Sequence, residues 1–293
     1  MKTGYVALIG RPNVGKSTLL NHLIGQKISI TSRRPQTTRH RIQGIKTSAR
    51  GQAIYVDTPG IHGSEKRAMN RYLNRTATSV LQGVDVIVWV VDQWTWHTEN
   101  DLILAQIRMV QCPVILAVNK VDQCEDKSAL LPFLGAVAKR FQFAEIVPLS
   151  ALKGINLERL EEKIMDVLPE GDPIYPDEQI TDRPERFFAA EIIREKLIRS
   201  LGQEVPHAIT VQIEQYREQK GVVHIHAVIW VEREGQKIIV IGKQGEVMKK
   251  VGQRAREDLE KMLDKRVFLN LWVKVKKGWS DNERALQSLG YCD

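Results

Sequence analysis

Two rhythms of apolar and polar positions alternate along the first 168 residues. Short apolar runs at 5–9, 53–56, 85–91, 113–118 and 145–149 read as strands. Stretches with helical spacing lie between them, at 18–24, 66–81, 99–110, 128–141 and 156–168. Strand and helix in alternation predict an α/β domain, a doubly wound, mostly parallel sheet with helices on both faces. The run 85–91, DVIVWVV, is apolar enough for a central strand buried on both sides. Its seven residues are too few to span a bilayer.

The rhythm breaks at 168–186, LPEGDPIYPDEQITDRPER, where four prolines and six acidic residues interrupt all periodicity. This predicts a linker over 169–186 between a domain at 1–168 and a second at 187–280. The second pattern runs helix (187–201), strand (208–218), strand (222–232), a short apolar run (237–241), Gly242-Lys243-Gln244-Gly245, helix (246–263) and strand (267–276). That order predicts an α+β unit. The polar tail, 281–293, is expected to fray.

Composition adds little to this division and charge adds more. With 293 residues and 43% hydrophobic content the chain can bury two cores. Met1-Lys2-Thr3-Gly4 leads straight into the first strand, so no secretory signal is expected. Cys112, Cys124 and Cys292 form no Cys-x-x-Cys pair, which points to a reducing cytoplasm and away from structural zinc. His224 and His226 share a strand face, where packed or solvated imidazoles are the expectation rather than metal ligands. Net charge is +8, and 243–277 holds eleven Lys and Arg against five Asp and Glu, a difference of +6. A basic stretch beside a Gly-x-x-Gly loop suits nucleic acid, and the same charge suits a solvated helix or anionic lipid.

The chemistry lies at the ends of the strands. Gly10-Arg11-Pro12-Asn13-Val14-Gly15-Lys16-Ser17, followed by Thr18, fits the phosphate loop Gly-x4-Gly-Lys-Ser/Thr between a strand and a helix. Backbone N–H groups there cradle nucleotide phosphates, Lys16 reaches the outer ones, and the Ser17 hydroxyl suits Mg²⁺. Asp57-Thr58-Pro59-Gly60 ends the second run, with Asp57 as a metal residue and the Gly60 N–H facing the γ-phosphate. Asn119-Lys120-Val121-Asp122 ends the fourth and suits guanine: Asp122 accepts from N1–H and the 2-amino group, Asn119 meets N7 and Lys120 packs over the base. Adenine lacks those donors and would leave the carboxylate unpaired. Ser150-Ala151-Leu152 follows the fifth run and brings a backbone N–H towards guanine O6.

Each motif sits where an open parallel sheet binds ligands. The ordered set, with Thr37-Thr38 between the first two, resembles a translation-factor-type GTP-binding domain. Gly242 to Gly245 opening a helix resembles the loop by which a type II KH domain clamps single-stranded RNA, with Ile241, Lys243, Gln244, Lys249 and Lys250 as further RNA-facing residues and Val247 and Met248 lining a groove. Over essentially its whole length the chain resembles the Era family of bacterial ribosome-assembly GTPases. The residues that carry the likeness are GRPNVGKS, Pro35-Gln36-Thr37-Thr38-Arg39-His40, DTPG, NKVD, the segment 189–214 and VIGKQG. The related Der proteins carry two G domains, and one phosphate loop is present here.

That resemblance implies a monomer that binds GTP or GDP with Mg²⁺ and hydrolyses GTP. It also implies binding to the 3′ end of small-subunit (16S) ribosomal RNA during rRNA processing and 30S subunit assembly in the cytoplasm. Peripheral association with the inner membrane is implied as well. Lys16, Thr38, Gly60 and Asn13 are the expected catalytic set, and Ser17, a switch threonine (Thr38 in preference to Thr37) and Asp57 the metal set. Asn13 matches an asparagine that helps relatives hold K⁺ in place of an arginine finger. Where Ras-type enzymes carry a water-orienting glutamine this chain has Ile61, with His62 next in line, so slow intrinsic turnover is expected. Arg33, Arg34, Arg39 and Arg41 either contact RNA or are solvated, and Trp94 and Trp96 either form a contact surface or pack on a helix. The competing class is an RNA-binding assembly factor for which GTP turnover is incidental. A P-loop kinase is disfavoured by Asn119 to Asp122.

Overall fold

The computed structural model describes residues 1–32, 34, 36–61, 67–92, 96–124, 128, 130–201 and 208–291. They group into two units, Met1–Lys66 with Asn70–Asp182 and Arg67–Met69 with Arg183–Asp293.

In the first unit the apolar runs become β1 (Lys2–Ile9), β3 (Gly51–Asp57), β4 (Val86–Val91), β5 (Val114–Val118) and β6 (Glu145–Pro148). A further strand, β2 (Ile42–Ser48), pairs antiparallel with β3, and every other pairing is parallel in the order β2-β3-β1-β4-β5-β6. The helices are α1 (Lys16–Ile24), α2 (Ala68–Ser79), α3 (Thr98–Ile107), α4 (Leu130–Ala138) and α5 (Leu157–Val167). Ala77, Ile103, Ile107 and Val137 from α2, α3 and α4 bury one face of the sheet around Trp89. The other face meets α1 and α5. With both faces covered, the central strands carry no polar alternation. Chain order reverses beside β1, so the loops after β1 and β4 diverge there and open a crevice at the strands' C-terminal ends.

Residues 169–182 lie along the first unit. The Pro169 carbonyl accepts from Thr3 N–H (2.9 Å) and the Ile180 carbonyl from Ile45 N–H (2.9 Å), while buried Gln52 Oε1 accepts from the N–H groups of Ile174 and Tyr175 (2.8 and 2.9 Å). The segment lacks periodicity because edge-strand backbone and one buried amide satisfy it.

The second unit opens with α6 (Glu185–Ser200), followed by β7 (Ile209–Gln219) and β8 (Val222–Val231), a hairpin turning at Lys220 and Gly221 with φ of 50° and 74°. Then come α7 (Glu234–Ile241), α8 (Glu246–Leu263) and β9 (Arg266–Val275), which returns parallel to β8. The short run expected at 237–241 is the second half of α7. Its start is fixed by Gln236 Oε1, which accepts from Arg233 N–H (3.1 Å).

The tail expected to fray is ordered as far as Tyr291. Residues 283–288 form α9 (Glu283–Ser288), Leu286 is buried, and Trp279 and Tyr291 stack at 6.1 Å and 16° with both rings buried. The Tyr291 and Thr210 hydroxyls share a 2.8 Å hydrogen bond. A few large rings anchor a sequence that is polar on average.

Candidate nucleotide and nucleic-acid sites

The phosphate loop is closed by glycines with no substitute. A Cβ on Gly10 (φ 149°) would stand 2.3 Å from the Val90 carbonyl oxygen, and one on Gly15 (φ 104°) 2.3 Å from Asn119 Nδ2. Gly15 therefore lets the phosphate loop touch the base-pocket loop, where Asn119 Nδ2 donates to the Val14 carbonyl (2.7 Å). No side chain caps α1, which starts at Lys16, so its N-terminal N–H groups are placed for an anion. Lys16 Nζ is held over the loop by the carbonyls of Gly10 and Arg11 (2.9 Å each). Burial pushes its pKa down to about 8, against the opposing pull of Asp57 and Asp92. Asn13 stands exposed at φ 63° on the loop's rim, between Pro12 and the buried Val14, and Thr18 continues α1.

Three oxygen-bearing side chains converge beside Lys16. Ser17 Oγ donates to Asp57 Oδ2 (2.7 Å) and shares a 2.7 Å hydrogen bond with Thr38 Oγ1. Thr37 Oγ1 instead bonds Ser32 Oγ (2.9 Å) and donates to the Arg34 carbonyl (2.7 Å). Thr38, and not Thr37, thus joins this cluster. Burial raises the Asp57 pKa, with Lys16, Ser17, Ser29 and Thr38 opposing, and Asp57 Oδ1 is buried without a protein partner. An all-oxygen set around an unsatisfied buried carboxylate oxygen fits a hard divalent cation such as Mg²⁺.

Residues 58–61, which follow β3, are buried. The Thr58 hydroxyl, counted among the nucleotide-facing groups, donates to the Leu8 carbonyl (2.9 Å) and so anchors the loop to β1. A Cβ on Gly60 would stand 2.6 Å from Pro12 N, so Pro59-Gly60 lies directly on the phosphate loop. Ile61 is buried in the core cluster around Trp89, and His62 lies outside the described residues.

In the base pocket Asn119 Oδ1 accepts from the N–H groups of Lys120 (2.8 Å) and Ala151 (2.9 Å). Ser150 Oγ donates to Asp122 Oδ1 (2.5 Å), Val121 N–H donates to the Leu149 carbonyl (3.2 Å), and Leu152 is exposed. Two positions here escaped the sequence reading. Asp92, at the end of β4, ion-pairs Arg11 Nη2 (3.0 Å) and Lys120 Nζ (2.5 Å), tying the phosphate loop to the base loop. Buried Ser29 donates to Asp57 Oδ2 (3.0 Å). Asp92 was findable from its place at the C-terminal end of a central strand; Ser29 carried no signal.

Among the arginines at 33–41, Arg39 is buried, which overturns the reading of it as solvated. Arg34 is half-buried, Arg41 exposed, and Arg33 outside the described residues. Trp96 packs edge-on against Trp89 (5.6 Å) under Arg140 (4.3 Å), which selects the packing alternative. Trp94 and Cys292 lie outside the described residues.

In the second unit, Ile241 ends α7 and Gly242 (φ 76°) turns so tightly that a Cβ would meet Val247 Cγ2 at 2.5 Å. Gln244 and Gly245 also adopt positive φ (52° and 79°), and a Cβ on Gly245 would meet only open space. Lys243, Gln244, Lys249 and Lys250 are exposed, and Val247 and Met248 are half-buried. No side chain caps α8. A bare backbone turn at a helix N-terminus, flanked by lysines, suits a phosphodiester backbone.

A guanine-nucleotide site on an open α/β sheet, joined in one chain to a Gly-x-x-Gly unit, defines a P-loop GTPase carrying a KH domain. Family models agree: residues 5–120 match that of a 50S ribosome-binding GTPase and 204–280 that of a KH domain. GTPase Era of Ectopseudomonas mendocina is 58% identical over all of this chain and 98% of its own length, and that of Azotobacter vinelandii is 57% identical over the same shares. Two solved structures are 40% identical, cover all of both chains and superpose with a TM-score of 0.97: a variant of Aquifex aeolicus Era bound to GDP.AlF4⁻, and Era in complex with MgGDPNP and nucleotides 1506–1542 of 16S ribosomal RNA. The chain belongs to the Era family of GTPases.

Proposed function

We propose that this GTPase is a switch whose nucleotide state governs access of RNA to the Gly242–Gly245 surface. Its ligand is the 3′ end of small-subunit ribosomal RNA, and its setting is rRNA processing and 30S subunit assembly in the cytoplasm. The observation that carries the reading is full-length likeness to an Era solved with MgGDPNP and a 16S rRNA segment. Residues 1–168 form the GTP-binding domain and 187–280 the RNA-binding domain in this reading, and the chain acts as a monomer. No described helix is long and apolar enough to cross a membrane. Peripheral contact with the inner membrane would use the basic surface.

The roles follow from charge and reach. Lys16 and the backbone N–H groups of the 13–18 stretch hold the β- and γ-phosphates and stabilise charge that develops between them. Ser17, Thr38 and Asp57 would hold Mg²⁺, which would supply positive charge to the phosphate oxygens. Asp122 takes both guanine donors, Asn119 meets N7, Lys120 covers the base, and the Ala151 N–H is shared with O6. When the γ-phosphate leaves, Thr38 and Gly60 lose a partner and their loops relax. Ile61 cannot orient water, so unaided turnover is slow, and Asn13 would help hold a K⁺ ion, which would supply positive charge at the reacting phosphates. Buried Ile61 also favours the second reading, an assembly factor with incidental turnover.

The test is single-turnover GTP hydrolysis in KCl, with and without an RNA oligonucleotide ending in the 3′ sequence of small-subunit ribosomal RNA. The switch predicts stimulation that Gly242→Asp/Gly245→Asp abolishes. Tight RNA binding without stimulation would establish the assembly-factor reading, and equal rates in NaCl would remove K⁺.

A further inference from the structure

One face of the β7–β8–β9 sheet takes no part in the Gly-x-x-Gly clamp. Its partner face, carrying Val223, Ile225, Ala227, Ile229 and Val231, is buried beneath the helices. On the outer face the register sets Arg217 and Phe268 beside His224, Gln215 and Asn270 beside His226, Trp272 beside Val228, and Lys274 beside Trp230. The rings form a continuous row: His224 to Phe268 at 5.3 Å, Phe268 to His226 at 6.1 Å, His226 to Trp272 at 5.4 Å. Phe268 is 50% exposed and Trp272 40%.

A strand face meant only for water carries Thr, Lys and Glu rather than half-exposed rings. Basic groups border this row. Arg217 and Arg266 flank one end, and at the other the Lys274 and Lys276 ammonium groups stand 5.8 and 5.9 Å from the Trp230 ring. The nearby acid, Glu214, is paired with Lys274 (3.2 Å). Aromatic rings edged by cations form a stacking platform for unpaired bases, as on other RNA-binding sheets, and the charge disfavours a purely apolar protein partner. A Gly-x-x-Gly loop clamps about four nucleotides, whereas the relative solved with rRNA holds nucleotides 1506–1542, leaving length for a second surface.

We infer that the row His224, Phe268, His226 and Trp272 stacks unpaired bases of the same RNA strand beyond the nucleotides held at Gly242–Gly245. The inference rests on the RNA-binding reading above. Phe268 and Trp272 are four residues apart on one strand, about 13 Å, so successive bases can lie along the row. Each base–ring contact contributes about 5- to 150-fold in affinity without reading sequence.

The test uses the full chain and two RNAs: the long 3′-terminal oligonucleotide, and a minimal fragment that just fills the clamp. Phe268→Ala/Trp272→Ala should weaken the long RNA by at least about tenfold while leaving the minimal fragment and basal GTP hydrolysis unchanged. Phe268→Tyr/Trp272→Phe, which keeps the rings, should bind both RNAs as the parent does, separating stacking from misfolding. Unchanged affinity of the alanine pair for the long RNA, with Gly242→Asp/Gly245→Asp losing both RNAs, would overturn the second surface and leave the RNA reading intact. Failure of the parent chain to bind either RNA would sink both. Loss of self-association in the alanine pair, seen by sedimentation with RNA binding unchanged, would make this face a protein interface instead.

Discussion

Two glycine-rich turns in this chain feed helix N-termini, and they differ in what stands around them. Gly10 to Ser17 is walled in: Lys16, Asp57 and Asn119 are buried, and a Cβ on Gly10, Gly15 or Gly60 would strike backbone or the Asn119 amide. Gly242 to Gly245 lies open, with Lys243 and Gln244 exposed and space beyond Gly245. The first turn is a desolvated site in which every polar group must find a partner, so it can discriminate between ligands strongly. The second suits backbone charge and would have to draw selectivity from neighbouring surfaces.

The sharpest way to break this contrast is at Asp122. Asp122→Asn replaces an acceptor of two guanine donors with an amide that presents its own N–H. GTP affinity should fall by roughly a hundredfold or more, and xanthosine triphosphate, whose 2-carbonyl accepts, should gain. RNA affinity of the nucleotide-free chain should not move. Competition binding with the two nucleotides checks the first pair of outcomes, and a matching loss of RNA affinity would show that the sites are not chemically separate.

A smaller effect sharpens the contrast from the side of burial. Lys16 sits at about 8 where a free lysine stands at 10.5, so between those values the folded chain has released a proton that the unfolded chain keeps. Stability contributed by this group therefore rises with pH across that window, and the full burial penalty applies below it. Nucleotide binding should run the other way. Phosphate charge favours protonated Lys16, so GDP affinity should decline above pH 8 by up to about tenfold per unit. Calorimetry of GDP binding near pH 8, in buffers of different ionisation heat, should show proton uptake. Identical heats after buffer correction would contradict the assignment.

Much of this was legible from local pattern because local pattern is what it depends on. Strands β1 and β3 to β6, the phosphate loop, the Asn119–Asp122 loop and the Gly-x-x-Gly turn are each a run of apolar residues followed by a few residues of fixed chemistry. Long-range features were not. β2 carries Gly44 inside IQGIKTS and offers no continuous apolar run, yet a Cβ at Gly44 would meet Ile24 and Ile28 at 2.8 Å, so close packing supplies the burial. Asp92 acts across 81 residues to Arg11 and 28 to Lys120, and Ser29 across 28 to Asp57. No spacing rule reports such pairs. The 169–182 segment and the tail were unreadable for a related reason: a buried Gln52 and the Trp279–Tyr291 stack hold them, while their average composition is polar.

Coupling between the walled site and the open site has a direct test through linkage: RNA affinity of the chain loaded with GDP against that loaded with a non-hydrolysable GTP analogue. A nucleotide switch predicts a difference of about 5- to 150-fold, with RNA shifting the nucleotide affinities by the same factor. Equal RNA affinity in the two states would contradict it and leave an RNA-binding assembly factor that turns over GTP incidentally.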